Sequence, residues 1–153
     1  MKIPDELFAL IGEGIWPSDH AASLAQNNRS VIPSDVIQRF APDEEVLFLY
    51  PPPFCTPQQE IDRQPRSFWL DPRAATDELD PTLALVIGDF GLGSDAPIIL
   101  DYRSHEFDPK VLRLRWAKEG NHWVECANTF SEFAAYLRES KPTTEQIAAA
   151  DRH

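Results

Sequence analysis

A glycine-rich turn between two apolar runs constrains the fold of this chain more than any other sequence feature. The apolar runs cover residues 83–87 and 98–102, and residues 88–95 between them contain three glycines and two acids, Asp89 and Asp95. Glycine adopts backbone angles that other side chains forbid, and it allows another chain segment to approach closely. The pattern therefore predicts two neighbouring antiparallel strands joined by this turn.

The same turn could serve as a phosphate-binding loop, but its flanks argue against this role. The spacing Gly88-x-x-Gly91-x-Gly93 differs from the dinucleotide fingerprint, and no Lys-Ser or Lys-Thr pair follows it. Nucleotide motifs also need a helix whose N-terminal amides receive the phosphate, whereas Pro97 and the apolar residues after it indicate a strand. The two acids would repel phosphate, so we expect a structural turn.

The second half of the chain continues this pattern and predicts an antiparallel sheet covered by a helix. Residues 111–116 alternate between two faces, as a half-exposed strand does, and residues 122–126 follow a polar turn as its partner. Thr129 and Glu132 fit the capping box of a helix. The apolar stripe of that helix consists of Phe130, Phe133, Ala134 and Leu137.

The first half predicts helices and one further strand. Helical patterns cover residues 5–11 and 19–26, and Pro33 precedes a short helix. Residues 46–50 form an apolar run that is typical of a strand buried on both faces. The whole chain, residues 1–153, is therefore predicted to be one α+β domain with a mostly antiparallel central sheet flanked by helices.

The segment between that strand and the glycine-rich turn is rich in proline and acids. Thr56 and Pro57 predict the start of a short helix, with proline at its first position. Residues 67–70 indicate a short strand or an aromatic plug, and residues 71–81 an acidic surface loop bounded by prolines. A last short helix is predicted at residues 146–149.

Net charge limits the classes of partner. The formal net charge is -11, and residues 1–80 hold 14 acids against 6 bases. Nucleic acid is an unfavourable partner, because phosphate binding depends on Lys and Arg. A basic protein, in contrast, would be steered toward such a surface. The alternative is that the acidity only keeps the protein soluble.

Composition also predicts a cytoplasmic protein without a membrane span. No stretch approaches the ~18 uninterrupted apolar residues of a transmembrane helix. The chain starts with one lysine followed by acids, which does not resemble a secretory signal. Cys55 and Cys126 lack the spacing of a metal site and are too few for a disulfide framework, so reduced thiols are expected.

No motif in the sequence points to catalysis. His20, His105 and His122 lie far apart along the chain, and Ser94 is not part of a nucleophile elbow. Cys126 lies on an alternating strand, which favours a buried thiol. We therefore expect no catalytic residue, no metal and no cofactor. An enzyme without a recognisable motif is the alternative.

The large aromatic residues divide into core candidates and interface candidates. Trp69, Trp116 and Trp123 lie at patterned positions or in short apolar runs, which is typical of a core. Trp16 and Phe54 flank prolines in predicted loops. We expect these two to be exposed anchors at an interface, where aromatic side chains concentrate binding energy.

An ordered set of motifs begins with the glycine-rich turn and runs through the second half of the chain. Its segments are residues 87–95, residues 98–101, Pro109-Lys110-Val111, Trp123-Val124-Glu125-Cys126-Ala127, Thr129-Phe130-Ser131-Glu132-Phe133 and Leu137. This set resembles the SUKH superfamily, and the resemblance is firmest over residues 83–137. Val31-Ile32-Pro33-Ser34-Asp35 and the helix after it resemble an earlier Leu-Pro helix of the superfamily.

This resemblance implies an α+β fold and a role in binding proteins without catalysis. Many bacterial members resemble immunity proteins that neutralise toxins, often nucleases. Other relatives are regulatory scaffolds, including fungal cell-wall regulators and a bacterial protein that contacts the secretion channel. The leading hypothesis is therefore an immunity protein that binds a cognate basic toxin through an acidic surface. A regulatory or scaffolding module unrelated to toxins is the alternative.

The candidate partner-binding residues combine acids of predicted loops with the two aromatic anchors. They are Asp77, Glu78, Asp80, Asp89, Asp95, Trp16 and Phe54. Acids in loops are also common as merely solvated side chains, which is the structural alternative for each of them.

Overall fold

The computed structural model describes residues 1–29, 32–91 and 95–140, with the side chains of residues 27–29 outside the description. Five strands form a single antiparallel sheet within these ranges. The strands are β1 (Phe48–Leu49), β2 (Ala84–Asp89), β3 (Pro97–Asp101), β4 (Lys110–Arg115) and β5 (His122–Ala127). The α-helices are α1 (Asp5–Gly12), α2 (His20–Arg29), α3 (Ser34–Ile37), α4 (Pro57–Arg63) and α5 (Phe130–Arg138). Three 3₁₀ turns follow α4, at Phe68–Leu70, Pro72–Ala74 and Thr76–Glu78.

The sheet is a meander in which each strand pairs with the next one along the chain. Its order is β1-β2-β3-β4-β5, and every neighbouring pair is antiparallel. Such connections need only short turns, which fits the turn signals in the second half of the sequence. The predicted α+β fold with a mostly antiparallel sheet is confirmed.

The glycine-rich segment joins β2 to β3 as predicted. Gly91 has a φ of 108°, a conformation that favours glycine, and Asp95 has a φ of 55°, which aspartate tolerates better than most residues. The Phe90 amide donates a hydrogen bond to the Ala96 carbonyl at 3.2 Å across the turn. Gly88 allows the close approach of β1, because a Cβ there would lie 2.7 Å from the carbonyl oxygen of Phe48.

Three of the helices, α1, α3 and α5, cover one face of the sheet. Apolar side chains of α1, α3 and α5 pack there on alternate residues of the central strands. Thr129 caps α5 by accepting a hydrogen bond from the Glu132 amide, which is one half of the predicted capping box. The Glu132 carboxylate accepts from the Asn128 amide instead of the Thr129 amide. The largest fully buried side chains include Trp16, Phe130 and Phe133. This face therefore holds the larger of the two cores.

A second, smaller core lies on the opposite face of the sheet. Helix α4 and the three 3₁₀ turns cover this face with Trp69, Ala74 and Leu79, which pack on Val86 and Ile99. The predicted surface loop over residues 71–81 is therefore wrong in part, because it carries core residues. The sheet becomes the middle of three layers, and its central strands are buried on both faces.

One further sequence expectation differs from the structure, and another lies outside the part of the chain that is described. The predicted strand over residues 46–50 shortens to β1, and Val46 is exposed. At the C-terminal end, the three prolines after Tyr50 supply no amide donors with which pairing could continue. The helix predicted at residues 146–149 lies outside the described residues.

A buried arginine on β4 is the third difference. Arg113 is only 4% exposed, although the alternation predicted that its face of the strand meets solvent. Its guanidinium donates to both carboxylate oxygens of Asp43, at 3.2 and 2.5 Å, and lies 5.8 Å from the centre of the Phe90 ring. Pairing with Asp43 thus makes the burial of this charge possible.

Removal of the Asp43 carboxylate should destabilise the fold, because it leaves the buried Arg113 guanidinium without its ionic partner. We expect Asp43→Asn to lower the free energy of unfolding by about 2–3 kcal/mol, somewhat less than for a fully buried pair because Asp43 is half-exposed. Urea unfolding followed by tryptophan fluorescence measures the loss. The control is Glu45→Gln on an exposed neighbour, which should change the value by less than about 0.5 kcal/mol.

The same ion pair should make stability fall in acid. The hydrogen bonds from Arg113 lower the pKa of Asp43 from its ordinary value of 3.8. Since the lowered pKa belongs to the folded state, the stabilisation is complete above pH 3.8 and is lost as the pH falls through the folded value. Between about pH 6 and pH 3 the unmodified protein should lose more unfolding free energy than Asp43→Asn. Equal losses in the two proteins would contradict this role.

Candidate functional site

An open pocket of about 640 Å³ lies on the opposite face of the sheet, beside α4 and the first 3₁₀ turn. Val86, Pro97 and the buried side chain of Asp89 contribute to it from β2 and β3. Tyr50, which follows β1, and the aromatic pair Phe68 and Trp69 of the 3₁₀ turn also line it. These elements form the candidate site.

A bulge in β2 brings Asp89 to this pocket. The pairing of β2 with β3 shifts between Val86 and Gly88, so that Val86 lies opposite Ile99 and Asp89 lies opposite Pro97. In a regular strand, residues three apart lie on opposite faces of the sheet. With the bulge, Val86 and Asp89 both line the pocket. The Asp89 carboxylate accepts a hydrogen bond from the Ala96 amide at 3.2 Å.

The surroundings of the Tyr50 hydroxyl are negatively charged. Burial raises the pKa of Tyr50, and the negative charges of Asp89, Glu60 and Asp95 raise it further. Glu60 is held in place because it accepts a hydrogen bond from the indole nitrogen of Trp69. The phenol therefore stays protonated and can donate a hydrogen bond at neutral pH.

Charged side chains at the mouth of the pocket carry both signs. Arg63 and Arg66 are exposed there, and Arg63 donates to the Cys55 sulfur at 3.2 Å. Asp71 binds Arg73 through two side-chain hydrogen bonds of 3.0 and 2.8 Å. These hydrogen bonds lower the pKa of Asp71 to about 2. Asp71 is therefore already neutralised by its own arginine.

An exposed aromatic stack extends the wall of the pocket. Trp116 stacks on Phe68 at a centroid distance of 6.3 Å, and Arg73 lies 5.6 Å from the Trp116 ring centre. The Trp116 indole nitrogen donates to the carbonyl oxygen of Asp95 at 3.0 Å. Trp116 is 43% exposed and Leu70 is 56% exposed. Exposed tryptophan and arginine side chains are typical of the residues that dominate protein interfaces.

The structure brings together two of the acids that the sequence singled out. Asp89 and Asp95 both line the pocket, Asp89 in its buried part and Asp95 as an exposed residue. Asp77 is also exposed, but it lies on the last 3₁₀ turn and does not line the pocket. The predicted set of acids is thus divided between two places.

Glu78 and Asp80 have structural partners instead. Glu78 accepts a hydrogen bond from the Trp123 amide at 2.9 Å and pairs with the His122 ring at 2.7 Å. Burial alone would raise the pKa of Glu78, but these two hydrogen bonds outweigh it and lower the pKa. Asp80 accepts hydrogen bonds from the amide and the hydroxyl of Thr82, at 3.0 and 2.6 Å. Both acids therefore stabilise the fold through hydrogen bonds within the protein.

The prediction that Trp16 and Phe54 are exposed anchors is wrong. Trp16 is only 1% exposed, and its indole nitrogen donates to the Tyr50 carbonyl at 2.8 Å. Phe54 is half-buried, and its ring meets the Trp16 ring edge-on at 6.3 Å. Because β1 is an edge strand, carbonyls there need donors from outside the sheet. Trp16 supplies such a donor, and Phe54 packs against it.

Sequence reasoning missed Trp116 as the exposed tryptophan. The alternation over residues 111–116 placed it on the face of Leu114, but β4 ends at Arg115. The polar turn Lys118-Glu119-Gly120-Asn121 directly after it was the available signal. Trp116 thus lies past the end of β4, between the strand and this turn.

Comparisons with protein-family models, curated proteins and solved structures find no match to this chain. The described residues contain no group of three or more His, Cys, Asp or Glu side chains suited to hold a metal ion. Among the helices of the described ranges, none has the length and hydropathy to cross a membrane. The expectations of no catalysis, no metal and no cofactor stay predictions.

Substitution should destabilise the protein much more at Trp16 than at Trp116. We expect Trp16→Phe to lower the free energy of unfolding by about 2–4 kcal/mol, because it removes a buried hydrogen bond and leaves a cavity. Trp116→Phe should cost less than about 1 kcal/mol, because the ring is exposed. Thermal and urea unfolding of both variants measure the difference. A larger loss for Trp116→Phe would contradict the assignment of these two roles.

Proposed function

We propose that this chain is a non-catalytic protein-binding domain, and specifically an immunity protein that neutralises a cognate bacterial toxin. The observation that carries the proposal is the pocket with Asp89 and Asp95 beside the exposed side chains of Trp116 and Leu70. A concave site next to an exposed tryptophan offers a partner both an anchor and a place to insert a side chain.

Charge supports a basic partner. The formal net charge is -11, and such a surface attracts a positively charged protein and speeds its association. A nuclease must present Lys and Arg to bind phosphates, so its substrate-binding surface is basic. An acidic protein seated on that surface would block nucleic acid directly.

Among the functions of protein-binding domains, the resemblance to the SUKH superfamily favours toxin neutralisation. The proposal places the chain in the cytoplasm, where the free thiols of Cys55 and Cys126 stay reduced. A regulatory or scaffolding role is the outcome that remains if no toxin is found. No observation on the structure favours that role specifically.

Co-expression with any candidate toxin encoded next to this gene tests the proposal. The unmodified chain should restore growth of cells that produce the toxin, and the purified proteins should form a salt-sensitive complex. Trp116→Ala and Asp95→Lys should each weaken the complex at least about tenfold, as expected for a contact worth more than about 1.4 kcal/mol.

The control for charge is Glu106→Lys, in an exposed connection between β3 and β4 that does not line the pocket. It reverses the same charge as Asp95→Lys and should leave rescue intact. Asp77→Lys tests the other exposed acid in the same way. A stable complex with a non-toxin protein, or a neighbouring gene that encodes no toxin, would count against immunity.

A further inference from the structure

The buried part of the pocket is negatively charged although its mouth carries both signs. Asp89 is only 6% exposed, whereas Arg63 and Arg66 are exposed. A ligand that enters with its charged end first therefore meets Asp89 in the least solvated part of the pocket. Electrostatic interactions are stronger in that part than at the mouth, because water screens them less.

Three carboxylates contribute to this negative region. Asp89, Glu60 and Asp95 all act on the hydroxyl of Tyr50, and each of them lines the pocket. Asp71 lines it too and is bound by Arg73, whose positive charge also acts on the exposed Asp95. An anionic ligand would thus be attracted by the two arginines at the mouth and repelled inside. A cationic ligand gains most where the pocket is most buried.

The walls favour a flat cation. Tyr50, Phe68 and Trp69 line the pocket, and Phe68 and Trp69 each have one ring face stacked on a neighbouring tryptophan. Aromatic faces attract cations, most effectively planar guanidinium groups. The protein already uses this contact on the outside of the same wall, where Arg73 lies over Trp116 at 5.6 Å. A guanidinium also has five N–H donors, which suit several carboxylates and a phenol oxygen at once. The ammonium of lysine has three donors and no flat face.

On the basis of the proposed function, we infer that the pocket receives an arginine side chain of the partner protein. Its guanidinium lies among the carboxylates of Asp89 and Asp95 and the hydroxyl of Tyr50. The volume of about 640 Å³ admits the whole side chain together with part of the flanking backbone. The exposed Trp116 then packs against partner residues beside that arginine.

A titration of the full chain with small arginine analogues tests this site without the toxin. N-acetyl-arginine methylamide should shift the indole N–H signals of Trp69 and Trp116 in two-dimensional NMR spectra, with a dissociation constant of about 1 mM, as for a single weak contact set. The corresponding lysine and citrulline compounds should bind at least about fivefold more weakly. Citrulline keeps the shape of arginine and lacks the charge. All titrations use one ionic strength, because salt screens these contacts.

Two variants assign the shifts to the pocket. Asp95→Asn should weaken arginine binding about fivefold, since it removes one charge-assisted contact, and Tyr50→Phe should weaken it as well. Glu106→Gln is the matched control outside the pocket and should leave the titration unchanged. Unchanged spectra of the free variants, apart from signals near the substitution, show that each one is folded.

The inference is overturned if citrulline or lysine binds as well as arginine, if Asp95→Asn binds arginine unchanged, or if no shift develops. Shifts of the same indole signals by inorganic phosphate alone would also overturn it, because they would show an anion site. Failure here with toxin rescue still lost in Trp116→Ala would leave the proposed function standing. Specific arginine binding without any rescue from a toxin would support the arginine site and contradict the immunity function.

Discussion

The pairing of β2 with β3 is the interaction on which the rest of the structure depends. Both strands are buried on both faces, so the two cores and the pocket are all built on this pair. Gly88 allows β1 to pair closely with β2, and the bulge before it turns Asp89 toward the pocket. One irregularity in a central strand thus connects the fold to the candidate site.

Regular patterns in the sequence were enough to predict the fold class, because each depends on local physics. Alternation over β4 and β5, the glycine-rich turn and the Thr129 cap all correspond to observed elements. The pocket could not be predicted in this way. It depends on a bulge that shifts the strand register and on 3₁₀ turns that fold over the sheet, and neither follows a periodic pattern.

The burial or exposure of individual side chains also could not be predicted from sequence patterns. Trp16 and Trp116 differ in exposure because Trp16 finds an unpaired strand carbonyl and Trp116 lies past the end of its strand. Arg113 is buried because Asp43, 70 residues away in sequence, can reach it. Such long-range partners decide which polar groups belong to the core. Asp89 and Asp95 were found from the sequence because they belong to the turn itself.

The edge strands of the sheet have a consequence for how any partner can be recognised. On β1 and directly after it, Ser23 and Trp16 donate to the carbonyls of Leu49 and Tyr50, and on β5 the Trp123 amide donates to Glu78. An incoming strand would have to break these bonds before it could extend the sheet there. Main-chain pairing of that kind depends little on the partner's sequence, whereas a shaped pocket distinguishes individual side chains of the partner. At these positions, the hydrogen bonds favour recognition through side chains over the addition of a strand.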